Sequence, residues 1–227
     1  MMNPFSTTLK HLSHFNSLSS ETQQALAAAA APRRFETGQV IYLEGEPAEA
    51  IYLLESGWVK ATRMTREGRE QAMMFLRAVD VFGDIAVFTG TTYPGTVVAL
   101  EPVKVWVIPA QTVLEMIPRH PDLAMAVIRH LGERVLHYVR LVEDLSLRSV
   151  EARLANTLLQ NAELHDGRLI VPRREWTTFD EMAVRLGTVR DVLSRALKML
   201  ESENLLRVEK QVIVLLDPKG LAARANR

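Results

Sequence analysis

At 227 residues, with 48% hydrophobic and 24% charged side chains, the chain has the balance of a globular protein of one large or two ordinary domains. Zero cysteines exclude a disulfide framework, a thiolate zinc site and a cysteine-held iron–sulfur cluster, and no apolar run approaches the roughly 18 residues of a membrane helix. The formal net charge is +0, yet residues 1–145 carry 13 Lys/Arg against 16 Asp/Glu while residues 146–227 carry 14 against 11, so the more basic part is the C-terminal one. The start, Met1-Met2-Asn3-Pro4-Phe5, has no basic stretch leading into an apolar run, and a cytoplasmic protein with no membrane partner is expected.

Thr8 to Ala31 reads as helical, its Ala-rich end closed by Pro32. From Phe35 to Ile108 short β-type runs follow one another: Val40–Leu43, Ala50–Leu54, Trp58–Ala61, Ala72–Leu76, Thr96–Leu100 and Val103–Ile108. Glycines fall between them, and many short strands at this spacing predict an antiparallel sandwich or barrel. The helical period returns after Pro109, and a long helix is predicted from Pro121-Asp122 to about Leu145. Ile128, Leu131, Val135, Tyr138, Val142 and Leu145 lie along it at alternating steps of three and four. Such a heptad seam predicts the interface of a parallel homodimer; the alternative is a helix packed on its own β domain. Ser149 is a candidate N-cap for a helix from Val150 to about Glu163, His165-Asp166-Gly167 a turn, and Leu169–Val171 a strand closed by Pro172.

Thr178-Phe179-Asp180-Glu181 has the form of a capping box, and Met182, Ala183 and Leu186 give the helix behind it an apolar side before Gly187 ends it. Thr188, with Asp191 three residues on, offers a second cap, and the helix it launches buries Val192, Leu193, Ala196, Leu197, Met199 and Leu200. Two helices joined by so short a turn predict a helix-turn-helix. Asp191, Ser194, Arg195 and Lys198 share one face of the second helix, with Arg190 beside them. A guanidinium forks onto guanine O6 and N7, an aspartate accepts from cytosine N4, and Ser194 reaches base or phosphate. Lys198 lies deeper along the helix and suits phosphate. The competing reading is a solvated face carrying an Asp191–Arg195 ion pair. Leu205–Val208, Glu209-Lys210 and Gln211–Leu215 predict a hairpin wing that offers Arg207 and Lys210 to phosphate. The candidate DNA-contacting set is therefore Thr178, Thr188, Val189, Arg190, Asp191, Ser194, Arg195, Lys198, Arg207 and Lys210.

Three stretches resemble the Crp/Fnr superfamily of bacterial transcription regulators over nearly the whole chain. They are Phe35–Ile41 with Glu44–Ala48, Tyr52, Gly57, Val59-Lys60 and Phe82-Gly83-Asp84; the long helix; and Leu186-Gly187 through Glu201 with Asn204-Leu205-Leu206. The resemblance implies an α+β chain in three parts. These are a cyclic-nucleotide-binding-like β-roll (a double-stranded β-helix or jelly roll) over 1–120, a dimerisation helix over 121–145, and a winged helix-turn-helix over 146–227. It implies a homodimer on a palindromic site in double-stranded DNA, with RNA polymerase as a further partner if the protein activates. By similarity the base-reading positions fall on Arg190, Asp191, Ser194 and Arg195, with Asp191 standing where the family has glutamate. The effector pocket would take in Met73, Phe75, Gly83, Asp84, Ile85, Pro94, Gly95, Thr96, Arg134 and Tyr138.

Here the pattern departs from the family. Members that bind cyclic AMP close the phosphate cassette with Arg-Ser or Arg-Thr, whereas this chain reads Pro94-Gly95 before Thr96, and the purine-facing positions of the long helix fall on Tyr138 and Val139. Losing a buried charge-assisted contact costs on the order of 2–5 kcal/mol, so cyclic AMP is not expected as effector and no cofactor is assigned. Met73, Met74, Phe75, Tyr138 and Val139 would line a more apolar pocket, or simply belong to the core. A haem- or small-ligand-dependent sensor is the alternative, with His11, His14, His130 and His137 as candidate iron ligands. A regulator already active when apo and controlled by its own expression is another. An enzyme is not expected: all six histidines lie outside residues 35–108, which removes a metal-dependent β-barrel, and neither a Gly-x-Ser-x-Gly elbow nor a P-loop occurs. A ligand-binding module without DNA binding would need a degenerate recognition helix, and Arg190 and Arg195 argue against that.

Overall fold

The computed structural model describes residues 4–68, 70–172 and 178–225. It divides into two compact units, residues 1–137 and 138–227.

The first unit opens with α1 (Pro4–Lys10) and α2 (Ser20–Ala29) rather than one helix from Thr8 to Ala31. Turns fill residues 11–17, and Ser19 Oγ caps α2 by accepting from the Thr22 amide. The Ala-rich run gives way at β1 (Ala31–Phe35), so Pro32 sits inside a strand instead of ending a helix. Pairing with a neighbouring strand has overridden alanine's helix preference. Eight strands build the roll: β1, β2 (Val40–Tyr42), β3 (Ala50–Ser56), β4 (Trp58–Met64), β5 (Glu70–Arg77), β6 (Asp80–Phe82), β7 (Thr96–Ala99) and β8 (Val103–Pro109). They form two four-stranded sheets, ordered β1-β8-β3-β6 and β2-β7-β4-β5, in which neighbouring strands pair antiparallel. Because β1 is an edge strand, Pro32 removes no ladder bond from the sheet interior. At Gly95 a Cβ would come 2.7 Å from the Thr62 carbonyl oxygen, so β7 enters its sheet only with glycine there.

Two short helices punctuate the roll, α3 (Asp84–Thr89) and α4 (Ala110–Met116), and α5 (Pro121–Leu147) follows. The core packs Phe5, Leu9, Leu12, Phe15 and Leu26 from the N-terminal helical segment against Ile51, Leu53, Val81 and Ile108 of the roll, together with Leu123, Ala126 and Val127 of α5. Asp122 at the start of α5 accepts from the Ser19 amide at 2.8 Å and from Thr22 Oγ1 at 3.0 Å, which fastens the N-terminal segment down.

In the second unit, α6 (Val150–Gln160) begins at Ser149, whose Oγ accepts from the Ala152 amide at 3.2 Å. A four-stranded antiparallel sheet follows, ordered β11-β12-β10-β9, from β9 (Glu163–His165), β10 (Arg168–Pro172), β11 (Leu206–Val208) and β12 (Val212–Leu215). Between β10 and β11 run α7 (Phe179–Arg185) and α8 (Arg190–Ser202), and α9 (Pro218–Ala225) closes the unit. Leu154, Leu158, Met182, Leu193, Leu200, Leu206, Ile213 and Leu221 are fully buried in one core. The expected α+β class, with two β sheets in a roll, a long helix and a winged helix-turn-helix, is present.

Candidate nucleic-acid interface

The helix-turn-helix is fixed by its ends. Thr178 Oγ1 accepts from the Glu181 amide at 3.2 Å and caps α7, as the Thr-x-x-Glu spacing predicts. At the other end Gly187 has φ +62°, Thr188 N–H donates to Ala183 O at 2.9 Å, and Gly187 N–H donates to Val184 O at 3.2 Å. That bond pair is a Schellman turn, and it forces the chain to reverse within three residues. The same device ends α8, with Asn204 at φ +57° and bonds from Leu205 to Leu200 O and from Asn204 to Glu201 O. Glu201 then reaches the wing, where its carboxylate accepts from the Val208 amide at 2.9 Å.

One expectation is corrected at the start of α8. Thr188 does not cap it: the N-cap is Val189, in extended conformation, and no side chain bonds the first-turn amides. The Schellman bond uses Thr188 to close the preceding turn, so the helix begins one residue later. The amides of the first turn are left without a side-chain partner, and this is the end of a helix that suits an anion.

Leu193, Ala196, Leu197 and Leu200 bury one side of α8. Asp191, Arg195 and Lys198 are exposed and Ser194 is half-buried, so these four residues lie on the side opposite the core. Among the described residues, Asp191 and Arg195 make no ion pair with one another, so the competing reading of that face lacks its bond. Arg190 lies 3.4 Å from Asp180 of α7 in a largely exposed pair that contributes little. Val189 and Thr178 are exposed beside them. Arg207 is exposed on the sheet face away from the core, in a groove with Leu164, Arg168 and Glu209, and Lys210 stands at the wing turn. Sequence reasoning missed Glu201, the brace of the wing, and Arg153 of α6, which no local pattern marks.

The residues expected along the seam of α5 differ in exposure, with Leu145 exposed at its end. Ile128, Val135 and Val142 are exposed, each by about three-fifths, whereas Leu131 packs partly into the core of the roll and Tyr138 is half-buried. Met125, Val139 and Gly132 are exposed instead, so the open stripe runs 125, 128, 132, 135, 139, 142 at the same alternating steps. The sequence shows the seven-residue period; only the packing of α5 on the roll shows which flank of it is used up.

Of the residues expected around an effector, Asp84 is nearly fully buried and turned inward. Its Oδ2 lies 3.3 Å from His130 Nε2, misaligned, so that neither atom makes a hydrogen bond. Both line an apolar cavity of about 40 Å³ with Leu9, Phe15, Leu26 and Ile51, far below the roughly 300 Å³ of a small-molecule site. Met73, Phe75, Ile85, Pro94, Gly95, Thr96 and Arg134 do not line it. Arg134 instead donates to Asp80 Oδ1 at 2.6 Å and to Val81 O, and burial pushes the Asp80 carboxyl above its usual range although Arg134 pulls the other way. Thr96 Oγ1 accepts from the Glu44 amide. Pro94 is exposed and Gly95 is buried, and neither position carries a cationic side chain of its own. Tyr138 falls in the second unit.

Three of the four histidines expected as iron ligands sit against other groups of the protein. His14 pairs with Glu133 at 2.8 Å, His130 faces Asp84 beneath the edge of Phe15, and His137 lies 3.2 Å from the Met73 carbonyl oxygen. Among the described residues no cluster of three metal-ligating side chains occurs, and no helix is long and apolar enough to cross a membrane.

Comparison with known proteins agrees with this architecture. Residues 32–120 match the cyclic nucleotide-binding domain and residues 152–224 the Crp-like helix-turn-helix domain. The global nitrogen regulator of Synechococcus elongatus is 28% identical over 197 residues, covering 83% of this chain and 87% of that protein. The CRP-like cAMP-activated global transcriptional regulator of Mycobacterium tuberculosis is 25% identical over 205 residues, covering 89% and 91%. A solved CRP/FNR-family transcriptional regulator from Thermus thermophilus superposes with a TM-score of 0.70 at 25% identity, over 87% of this chain and 99% of that one. With one match inside each of the two structural units, the chain belongs to the Crp/Fnr superfamily of DNA-binding transcription regulators.

Proposed function

We propose that the protein works in the cytoplasm as a homodimer that reads a palindromic site in double-stranded DNA, without cyclic AMP and without catalysis. The observation that carries this reading is the face of α8: Asp191, Ser194, Arg195 and Lys198 together on the open side of a helix whose first-turn amides no side chain caps. Arg190 and Arg195 supply direct readout; Thr178, Thr188, Val189, Lys198, Arg207 and Lys210 flank the backbone path.

The open stripe on α5 supports the dimer, and Gly132 supports it most specifically. A Cβ there would meet nothing within 4 Å, so the chain's own fold gives no reason to spend a glycine in mid-helix. A second helix crossing at that level does give one. Two-fold symmetry then places the half-sites about one helical turn apart. Against cyclic AMP stand the missing cation at Pro94-Gly95, the inward turn of Asp84 and the commitment of Arg134 to Asp80. The relatives' names point to different inputs, nitrogen status in one and cAMP in another, so the family does not fix the effector.

Selection of bound sequences from random DNA by the purified protein tests the reading. Palindromic enrichment, unchanged by added cyclic AMP, is the expected result. No enrichment, or enrichment that appears only with cyclic AMP, would overturn it.

A further inference from the structure

Within the second unit one guanidinium holds three main-chain oxygens from two helix ends. Arg153, in the first turns of α6, donates from Nε to Leu186 O at 2.9 Å, and from Nη1 to Arg148 O at 2.9 Å and Asp144 O at 3.5 Å. Leu186 is the C-cap of α7, and Asp144 and Arg148 lie at the C-terminal end of α5. Both ends carry carbonyls that the helix cannot satisfy and the negative end of its dipole. A planar fork can serve several such acceptors at once, which a lysine ammonium cannot do with the same geometry. Among the described residues no carboxylate forms an ion pair with Arg153; the neighbouring Asp144 carboxylate is taken by Arg148 at 3.2 Å. Only Arg148 and Ser149 separate α5 from α6, so this junction is short and Arg153 spans it.

The bonds have a directional consequence. The Schellman turn at Gly187 makes α7 and α8 one rigid piece, so what fixes the C-terminus of α7 against the end of α5 also fixes the recognition helix against the end of α5. In a dimer joined along α5, that angle sets the distance and rotation between the two recognition helices. We propose that Arg153 is the positioning residue that sets which half-site spacing the dimer accepts. This rests on the homodimer reading given above.

The test uses the site selected by the intact protein and versions of it lengthened or shortened by two base pairs at the centre. Two base pairs rotate the half-sites by about 70° and shift them by about 7 Å. Binding of each DNA is measured for the wild type, Arg153→Ala and Arg153→Lys. The wild type should prefer the selected spacing by about tenfold or more, and both variants should bring that ratio to within about twofold while selecting the same half-site sequence. The ratio is read within one preparation, so partial unfolding of a variant lowers all affinities together and leaves it unchanged; if Arg153→Ala binds no DNA, Arg153→Lys decides. Variants that keep the wild-type ratio would show that Arg153 merely stabilises the domain and would overturn the proposal. A wild type indifferent to spacing would instead overturn the dimer reading, and this inference with it.

Discussion

Gly132→Leu separates the dimer interface from the stability of the monomer, because the two respond with opposite signs. In its own chain Gly132 is exposed on α5, and an added Cβ has open space around it. Leucine is among the best helix formers, so the isolated protomer should gain about 1 kcal/mol from the exchange. At a seam between two copies of α5 the same side chain is an insertion into a packed contact. Overpacking of that kind costs about 1–3 kcal/mol, and a symmetric dimer meets it twice. A total of about 2–6 kcal/mol weakens the dimer at least about 30-fold. Sedimentation across a dilution series gives the dimer Kd, and a denaturant melt below that concentration gives the stability of the protomer. A dimer left unchanged or tightened would remove Gly132 from the contact and, with it, the stripe from 125 to 142. Ordinary misfolding cannot mimic the expected result, since it would lower both quantities.

Arg195→Ala should lose discrimination at one base pair by about 1–3 kcal/mol, read as competition between the selected site and its single-base variants; uniform weakening across all sequences would contradict base reading. Lys198→Ala should leave sequence preference intact and reduce the slope of log K against log salt by about 1 for each half-site. An unchanged slope would mean that Lys198 touches no phosphate. Leu193 is fully buried in the core beneath the recognition helix, so Leu193→Ala should cost about 2–5 kcal/mol, seen as a lower denaturant midpoint at the same m-value. A midpoint that does not move would contradict the packing of α8.

The strands of the roll with alternating or continuous apolar runs were legible in the sequence, because the side chains that face its core carry the signal. Strand β1 was not, since its residues Ala31 to Arg34 are all exposed and it is held by main-chain pairing with β8 alone. Strand β6 is only three residues long and too short to show a period. The expected helix overran Ala29 for a related reason. Alanines favour a helix wherever nothing opposes it, and what opposed it was a sheet edge supplied by Val103–Val107, far along the chain. On α5 the spacing alone likewise could not show that Leu131 packs partly against the roll.

The two candidate sites differ in how far sequence could reach, and the difference is physical. The reading face of α8 depends on one helix and its own period, so the residues left over from the apolar side are necessarily the exposed ones. The effector region depends on which way a single carboxylate points. Gly83-Asp84 has the spelling of a ligand cassette, yet Phe15 and Leu9 from the N-terminal segment close over that side and His130 of α5 meets the carboxylate there. Arg134, which was expected at the pocket, donates to Asp80 and Val81 O instead. Breaking that pair would leave the half-buried Asp80 carboxylate without its cation, a cost on the order of 2–5 kcal/mol. The Arg134–Asp80 pair therefore ties α5 to the roll, a bond between two distant stretches of chain that the local spelling Gly83-Asp84 cannot reveal.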